Sequence, residues 1–457
     1  MNVLDDLGDD RPLGARVRGA GSLRVLAALL RGWKKSSQGR QEAGGMIVLL
    51  RARPSPVFNN SNKWELLLDR GDRALGAPDL KTLLAVEAMT LGVNRMAEHA
   101  QKLGYKLRLL ATDPSIYSDT EGVDVLTFPT NDHAQLRAYV RAERSNIGAV
   151  FSSTDTWGVI AAELREEFDF PRRFTSSRLK NFRDKEWVQR ELVAYSATPV
   201  SDFPKIVKPR NGTGSLGIDL VHNERELGEL RASAGDQDAF VTEPYYRGPL
   251  YSAEFWSNGN STVFFGITNR ILTSPPVFLE NVKTFPHEHG TPWEAEVEQW
   301  GKSLLAKLQY DVGFAHVEFI ETANGFALVE LNARMPGALI TPAIDTCTNF
   351  DPYALAVADA LNMEPHLPEI REVCAGHSHV SIYSTQTGQL RGIEGLDTLR
   401  FYPGQPGWIP SKSIGDHITD TMSYKARIGN VYATAATPAL AQDRALSASQ
   451  ALTVDVQ

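Results

Sequence analysis

The chain has 457 residues, room for two to four domains, and its 42% apolar and 22% charged residues are the balance of an ordinary globular protein. A formal net charge of -8 argues against a general nucleic-acid or anionic-membrane binder. Two cysteines, Cys347 and Cys374, exclude a disulfide framework or a Cys-rich zinc site. No apolar run approaches the roughly 18–20 residues of a membrane-spanning helix. Asp5, Asp6, Asp9 and Asp10 are the wrong charge for a secretory leader, so a cytoplasmic protein is expected.

Residues 1–45 read as a flexible tail, with an amphipathic patch from Leu23 to Trp33 that could touch a partner or a membrane. Residues 46–170 read as an α/β domain. WELLLD (64–69) predicts a buried strand, and Asp79 to Leu103 a helix ended by Gly104. Strands follow over 106–112, 123–128 and 147–153, with helices over 131–144 and 156–168. This alternation implies an open, mainly parallel sheet. Residues 171–203 read as a linker, from Pro171 to Asn181, and a helix from Asp184 to Tyr195.

Residues 204–246 predict strand, glycine loop, strand, helix and strand, a unit too small to stand alone. Paired antiparallel strands are expected from Ser252 to about Asn332, within a larger unit over 247–375 that also carries a helix near Asp351 to Leu361. A β-rich piece over 376–435 and an Ala-rich tail over 436–457 complete the reading.

Gly212, Gly214 and Gly217 satisfy G-x-G-x-x-G, but the segment after them, IDLV (218–221), reads as a strand. A dinucleotide fold needs a helix there, and a Walker A loop needs Lys where Ile218 stands. A glycine loop between two strands is a flap whose backbone N–H groups can approach phosphate oxygens. Protein kinases share that arrangement, yet no HRD or DFG segment exists here. Lys208, before Pro209, is placed to neutralise phosphate charge. A loose surface hairpin is the plainer alternative.

In FAHVEFIETANGFALVELNAR (314–334), two alternating strands flank Ala323-Asn324-Gly325, which predicts a three-residue turn. That turn pairs Thr322 with Phe326 and hence Glu318 with Glu330. His316 and Asn332 share their face, while Val317, Phe319, Val329 and Leu331 point to the core. Two carboxylates about 5 Å apart repel by about 3 kcal/mol at an effective dielectric near 20. A shared proton, a neighbouring Arg or a divalent cation can offset this. Two carboxylates and an amide oxygen suit magnesium. A glycosidase-like acid pair leaves the glycine flap unexplained, and an ion-paired sheet surface is the bland alternative.

Elsewhere, His287 and His289 flank Glu288 without a metal-ligand spacing and read as loop surface. His377 and His379 alternate on a strand, more simply core than site. Asp155 either ends a strand as a ligand group or caps the next helix.

Taken together, these segments resemble the ATP-grasp superfamily over roughly residues 64–432, and within it carboxylate–amine ligases of the L-amino acid (dipeptide) ligase kind. The resemblance implies an α/β and α+β multidomain ATP-grasp fold. It comprises a parallel-sheet N-terminal domain, a small lid (204–246), a catalytic subdomain (247–375) and a β-rich C-terminal subdomain. It implies nucleotide contacts at Lys185 of RDK, Lys208 of VKP, the phosphate loop with Gly212, Gly214, Ser215 and Gly217, and the hinge at Glu243 and Tyr245. Magnesium (or manganese) falls to Glu318, Glu330 and Asn332. Arg334 steadies the transferring phosphoryl group, and Arg334, Glu280, Lys283 and Gly337 face substrate.

Two positions depart from the family pattern. The acid that holds the ribose hydroxyls is replaced by Leu250, with Glu254 a substitute. Lys283 stands where relatives often carry His, which favours a different or additional anionic group on the substrate. The expected reaction activates a carboxylate with ATP as an acyl phosphate and joins it to an amine, releasing ADP and phosphate. Small-molecule partners and a homodimer are expected, with no nucleic acid and no membrane. A carboxylase or purine-pathway ligase, a phosphotransferase and a non-catalytic ATP-binding scaffold remain alternatives.

Overall fold

The computed structural model describes residues 80–212, 217–233, 236–274 and 277–457. The tail and the WELLLD strand, and Gly214 and Ser215 of the loop, lie outside the described residues. Among the described residues, no helix is long and apolar enough to cross a membrane.

The N-terminal layer comprises β1 (Lys81–Val86), α1 (Val93–Lys102), β2 (Tyr105–Ala111), β3 (Asp124–Thr127), α2 (His133–Ala142), β4 (Ile147–Phe151) and α3 (Asp155–Glu167). The strands run parallel in the order β3-β2-β1-β4. The helix expected over Asp79–Leu103 is corrected: its first part is β1, and helix begins only after Gly92. Leu83 and Ala85 pack toward α1, while Leu84 and Val86 pack toward α2 and α3. A strand buried on both faces shows no alternation, so its apolar run passes for helix.

The expected linker is also partly helical, because α4 (Ser176–Arg183) precedes α5 (Lys185–Leu192). Asp184 separates them and caps α5, accepting from the N–H groups of Glu186 and Trp187 at 3.1 and 3.2 Å. Arg210 clamps the same carboxylate at 2.7 Å.

The lid has β5 (Lys205–Pro209), β6 (Asp219–Val221), α6 (Glu224–Ser233) and β7 (Phe240–Pro244), with strand order β6-β5-β7. Its element order is the one expected, and its own core is small, built on Val207, Val221 and Leu227.

The remainder contains β8 (Leu250–Ser257), β9 (Thr262–Leu272), β10 (Glu280–Phe285), α7 (Pro292–Lys307), β11 (Gly313–Thr322), β12 (Gly325–Asn332), α8 (Ile340–Cys347) and α9 (Pro352–Leu361). It continues through β13 (Gly376–Tyr383), β14 (Gly388–Glu394), β15 (Gly407–Pro410), β16 (His417–Ile418), β17 (Arg427–Ala435), α10 (Pro438–Ser449) and β18 (Thr453–Val456). One sheet, in the order β12-β11-β8-β9-β10-β13-β17-β15, runs through the expected boundary at residue 376 without a break. The expected tail over 436–457 holds α10, whose Ala441, Ala445 and Ala448 are buried, and β18, which pairs with β14.

One face of the large sheet is apolar, with Tyr251, Phe255, Val317, Phe319 and Leu331 packed beneath α7. The other face carries the polar residues. In the β11–β12 hairpin, Glu318 does pair with Glu330 and His316 with Asn332. The route differs from expectation: Thr322 pairs with Gly325, so the turn has two residues, and an irregularity between Glu318 and Phe319 restores the offset. Val329 is therefore half-buried rather than core, and Leu328 joins the apolar cluster instead. The outer side of β12 is met by neighbours. Ala197 N–H donates to Phe326 O at 2.8 Å, Leu328 N–H to Ser196 Oγ at 3.1 Å, and Lys208 Nζ to Val329 O at 2.9 Å.

Candidate active site

Two cavities open on the polar face of the large sheet. The first, of about 440 Å³, is lined by Lys185, Lys208, Gly212, Glu243 and Tyr245 from the lid side and by Leu250, Glu318 and Glu330 from the sheet. Lys185, at the start of α5, sends Nζ to Glu330 Oε1 at 3.0 Å and to Gly212 O at 2.6 Å. Lys208 reaches from β5 to Glu243 Oε1 at 2.7 Å and to the Val329 carbonyl. Burial pushes the Glu243 carboxyl up despite Lys208 beside it. Gly217 adopts a positive φ of 68°, and a Cβ on Gly212 would sit 2.9 Å from Pro209, so both loop ends depend on glycine.

Glu254 is corrected as a ribose contact. It is fully buried and accepts from Ser252 Oγ at 2.7 Å and Thr268 Oγ1 at 3.1 Å, and it pairs with His316 Nδ1 at 2.7 Å. Leu250 lines the first cavity with a side chain that offers no acceptor, and Asn269 lines the same cavity.

The paired carboxylates are neutralised unequally. Glu330 faces Lys185, whereas Glu318 is held by Arg270 Nη1 at 2.7 Å and His316 Nε2 at 3.1 Å. Burial raises the Glu318 carboxyl, but Arg270 and His316 outweigh it and hold it well below the usual carboxylate range. Burial lowers the His316 imidazole, and the flanking Glu254 and Glu318 raise it above its ordinary value. Among the described residues, no three His, Cys, Asp or Glu side chains form a metal site by themselves. The donors on this face are Glu318, Glu330 and the Asn332 amide, whose Nδ2 has no partner. That oxygen set suits a hard divalent cation and falls short of six, so further oxygen ligands would have to complete it.

The second cavity, of about 330 Å³, shares Arg270, Glu280, Glu318 and Glu330 with the first and continues past Asn332, Arg334 and Gly337 to Lys283. Arg334 Nε pairs with Asp155 Oδ2 at 2.6 Å. Burial lowers that guanidinium, and Asp155 outweighs it, so Arg334 is locked in its charged form. Asp155 is the first residue of α3, and its side chain is taken by Arg334. Glu280 contacts Arg270 and lies 2.6 Å from Lys283 Nζ.

Arg270 was not singled out from sequence, although a lone arginine in the apolar strand TVFFGITNRIL is a readable signal of a buried charge. His287 stacks on Tyr251 with ring centroids 5.2 Å apart, and His289 is exposed beside Glu294. His377 and His379 are buried in β13.

Residues 201–342 match the ATP-grasp domain, and residues 381–457 match the L-amino acid ligase C-terminal domain 2. Carnosine synthase 1 of Mus musculus is 22% identical over 447 residues, covering 86% of this chain and 52% of that protein. The 3-methyl-D-ornithine–L-lysine ligase of Methanosarcina mazei is 24% identical over 251 residues, 50% of this chain and 64% of that enzyme. The chain thus spans about half of the one and under two thirds of the other. A crystal structure of L-amino acid ligase from Bacillus licheniformis superposes with a TM-score of 0.70 at 18% identity, over 82% of this chain and 99% of that one. With the lid, the paired carboxylates and the continuous C-terminal sheet in place, the chain carries an ATP-grasp domain joined to an L-amino acid ligase C-terminal domain 2.

Proposed function

We propose that this protein is an ATP-dependent carboxylate–amine ligase, forming an amide bond through an acyl phosphate and releasing ADP and phosphate. One observation carries the reading: a nucleotide-sized cavity with two lysines and a second cavity with an anchored arginine meet at the Glu318–Glu330 pair. Lys185 and Lys208 neutralise phosphate charge on the nucleotide side. Glu318, Glu330 and Asn332 are suited to hold Mg2+, with Mn2+ satisfied by the same oxygens. The bound cation supplies charge neutralisation at the phosphate oxygens. Arg334, fixed by Asp155, faces the charge that develops as a carboxylate oxygen attacks the terminal phosphorus. Glu280 offers a carboxylate to a substrate amino group. The acyl phosphate has to be kept from water until the amine arrives. The substrates are small molecules, an amino acid or small polycarboxylate and an amine.

The test is incubation with ATP, Mg2+, pooled amino acids and small di- and tricarboxylic acids, with ADP, AMP and phosphate measured together. Substrate-stimulated ADP and phosphate are expected, falling at least about 100-fold in Glu330→Gln. AMP with pyrophosphate, or ADP release indifferent to Glu330→Gln, would overturn the mechanism.

A further inference from the structure

The second cavity does not end at the reaction centre. It also takes in Lys283 of β10, Tyr383 at the end of β13, Tyr424 in the turn before β17, and Arg427, the first residue of β17. The cations along it are unevenly matched. Arg334 is matched by Asp155. Arg270 and Lys283 share Glu280, and Arg270 also serves Glu318. Arg427 has one recorded contact, Nε to Ser411 Oγ at 3.3 Å, and among the described residues no ion pair to a carboxylate. Lys283 is only 3% exposed, and burial first, then Arg270 and Arg427, pull its ammonium well below the ordinary lysine range, so an anion placed between Lys283 and Arg427 would favour its charged form.

The cavity is thus lined by Arg334 held by Asp155, by Glu280 between Arg270 and Lys283, and by Arg427, which has no carboxylate partner among the described residues. A molecule with a carboxylate for Arg334, an ammonium for Glu280 and a second anion for Lys283 and Arg427 would match this lining. We propose that this part of the cavity is an anion subsite in which Lys283 and Arg427 hold the acidic side chain of an amino acid whose α-carboxylate is activated beside Arg334. The proposal rests on the ligase reading of the site and narrows its acid substrate to one bearing a side-chain carboxylate or phosphate. Tyr383 supports the arrangement, its hydroxyl donating to the Glu280 carbonyl at 3.0 Å.

The test compares aspartate, glutamate and O-phosphoserine with asparagine, glutamine and serine, by ADP release and by calorimetric binding in the presence of MgADP. Wild-type protein, Arg427→Gln and the charge-retaining Arg427→Lys are compared, with circular dichroism as the check on folding. The acidic compounds are expected to be favoured at least about ten-fold over their neutral isosteres. Arg427→Gln should erase most of that preference and Arg427→Lys retain part of it. The stronger of the two acidic classes tells carboxylate from phosphate. Equal handling of acidic and neutral compounds by wild type, or an equal loss for both in Arg427→Gln, overturns the subsite. Binding with preference but without turnover would fail the ligase reading and leave the subsite standing. Turnover of neutral amino acids alone would do the reverse.

Discussion

Glu318 is fixed on two sides, by Arg270 and by His316, and His316 is in turn fixed by a carboxylate that never reaches solvent. Glu254 thus acts through His316: it raises the imidazole above its ordinary value and holds it against Glu318. Glu254→Gln removes the carboxylate's charge while preserving shape. The expected outcome is a 10- to 100-fold rise in the Mg2+ concentration for half-maximal ATP turnover, the usual cost (~10–100-fold) of losing a partner behind a metal ligand. An unchanged Mg2+ requirement would mean that Glu254 serves only the core. At this scale, the residues that could be singled out from sequence were those tied to a local pattern: Lys185 opens a helix, Lys208 stands at the end of a strand before the glycine loop, and Glu318, Glu330 and Arg334 lie in or just after one hairpin. Arg270 was readable as a lone charge in an apolar strand but was passed over, whereas the pairing of Asp155 with Arg334 was not legible, because the two are 179 positions apart and meet only in the assembled fold. Glu254 was misread for a related reason: its nearness in sequence to Leu250 does not tell how deeply neighbouring strands bury it.

The β11–β12 hairpin shows how an element can be right through two compensating departures. A turn one residue shorter than expected shifts the pairing by one, and the irregularity after Glu318 shifts it back. Because side chains alternate with a period of two, either change alone would have separated the carboxylates. β1 was illegible in the opposite way, since burial on both faces removes the only periodic signal a short strand has. The junction between lid and sheet is equally exacting. Gly248 has φ 154°, and a Cβ there would lie 1.8 Å from the Glu321 carbonyl oxygen. Gly248→Ala must push β8 away from β11, with an expected loss of about 1–3 kcal/mol in urea denaturation and weaker ADP binding. A variant with wild-type stability and affinity would show that the junction gives way freely.

Across the whole molecule, the eight-stranded sheet joins the catalytic face to the C-terminal piece, so that residues as distant as Lys283 and His379 are paired neighbours. Burial lowers the His377 imidazole to about 4, and burial with Lys283 lowers His379 well below its usual value. Both are neutral when folded, whereas an unfolded imidazole titrates near 6.5. The unfolded chain thus binds more protons between those values. Stability is full above about pH 6.5 and falls as pH drops toward 4, by about 3 kcal/mol for His377 alone. Urea midpoints at pH 7.5 and 5 should show this loss, and His377→Gln with His379→Gln should flatten it; an identical slope in the double variant would refute the assignment. The outer rim of this sheet has a further consequence. β12 is a terminal strand, and an uncovered strand of that kind is a template for joining other chains. Here its outward groups are taken by Ala197, Ser196 and Lys208. The Lys208 ammonium that lines the first cavity is thus also part of the seal that keeps one molecule from adding strand to strand with the next, so the side chain proposed to neutralise phosphate also guards the sheet's edge.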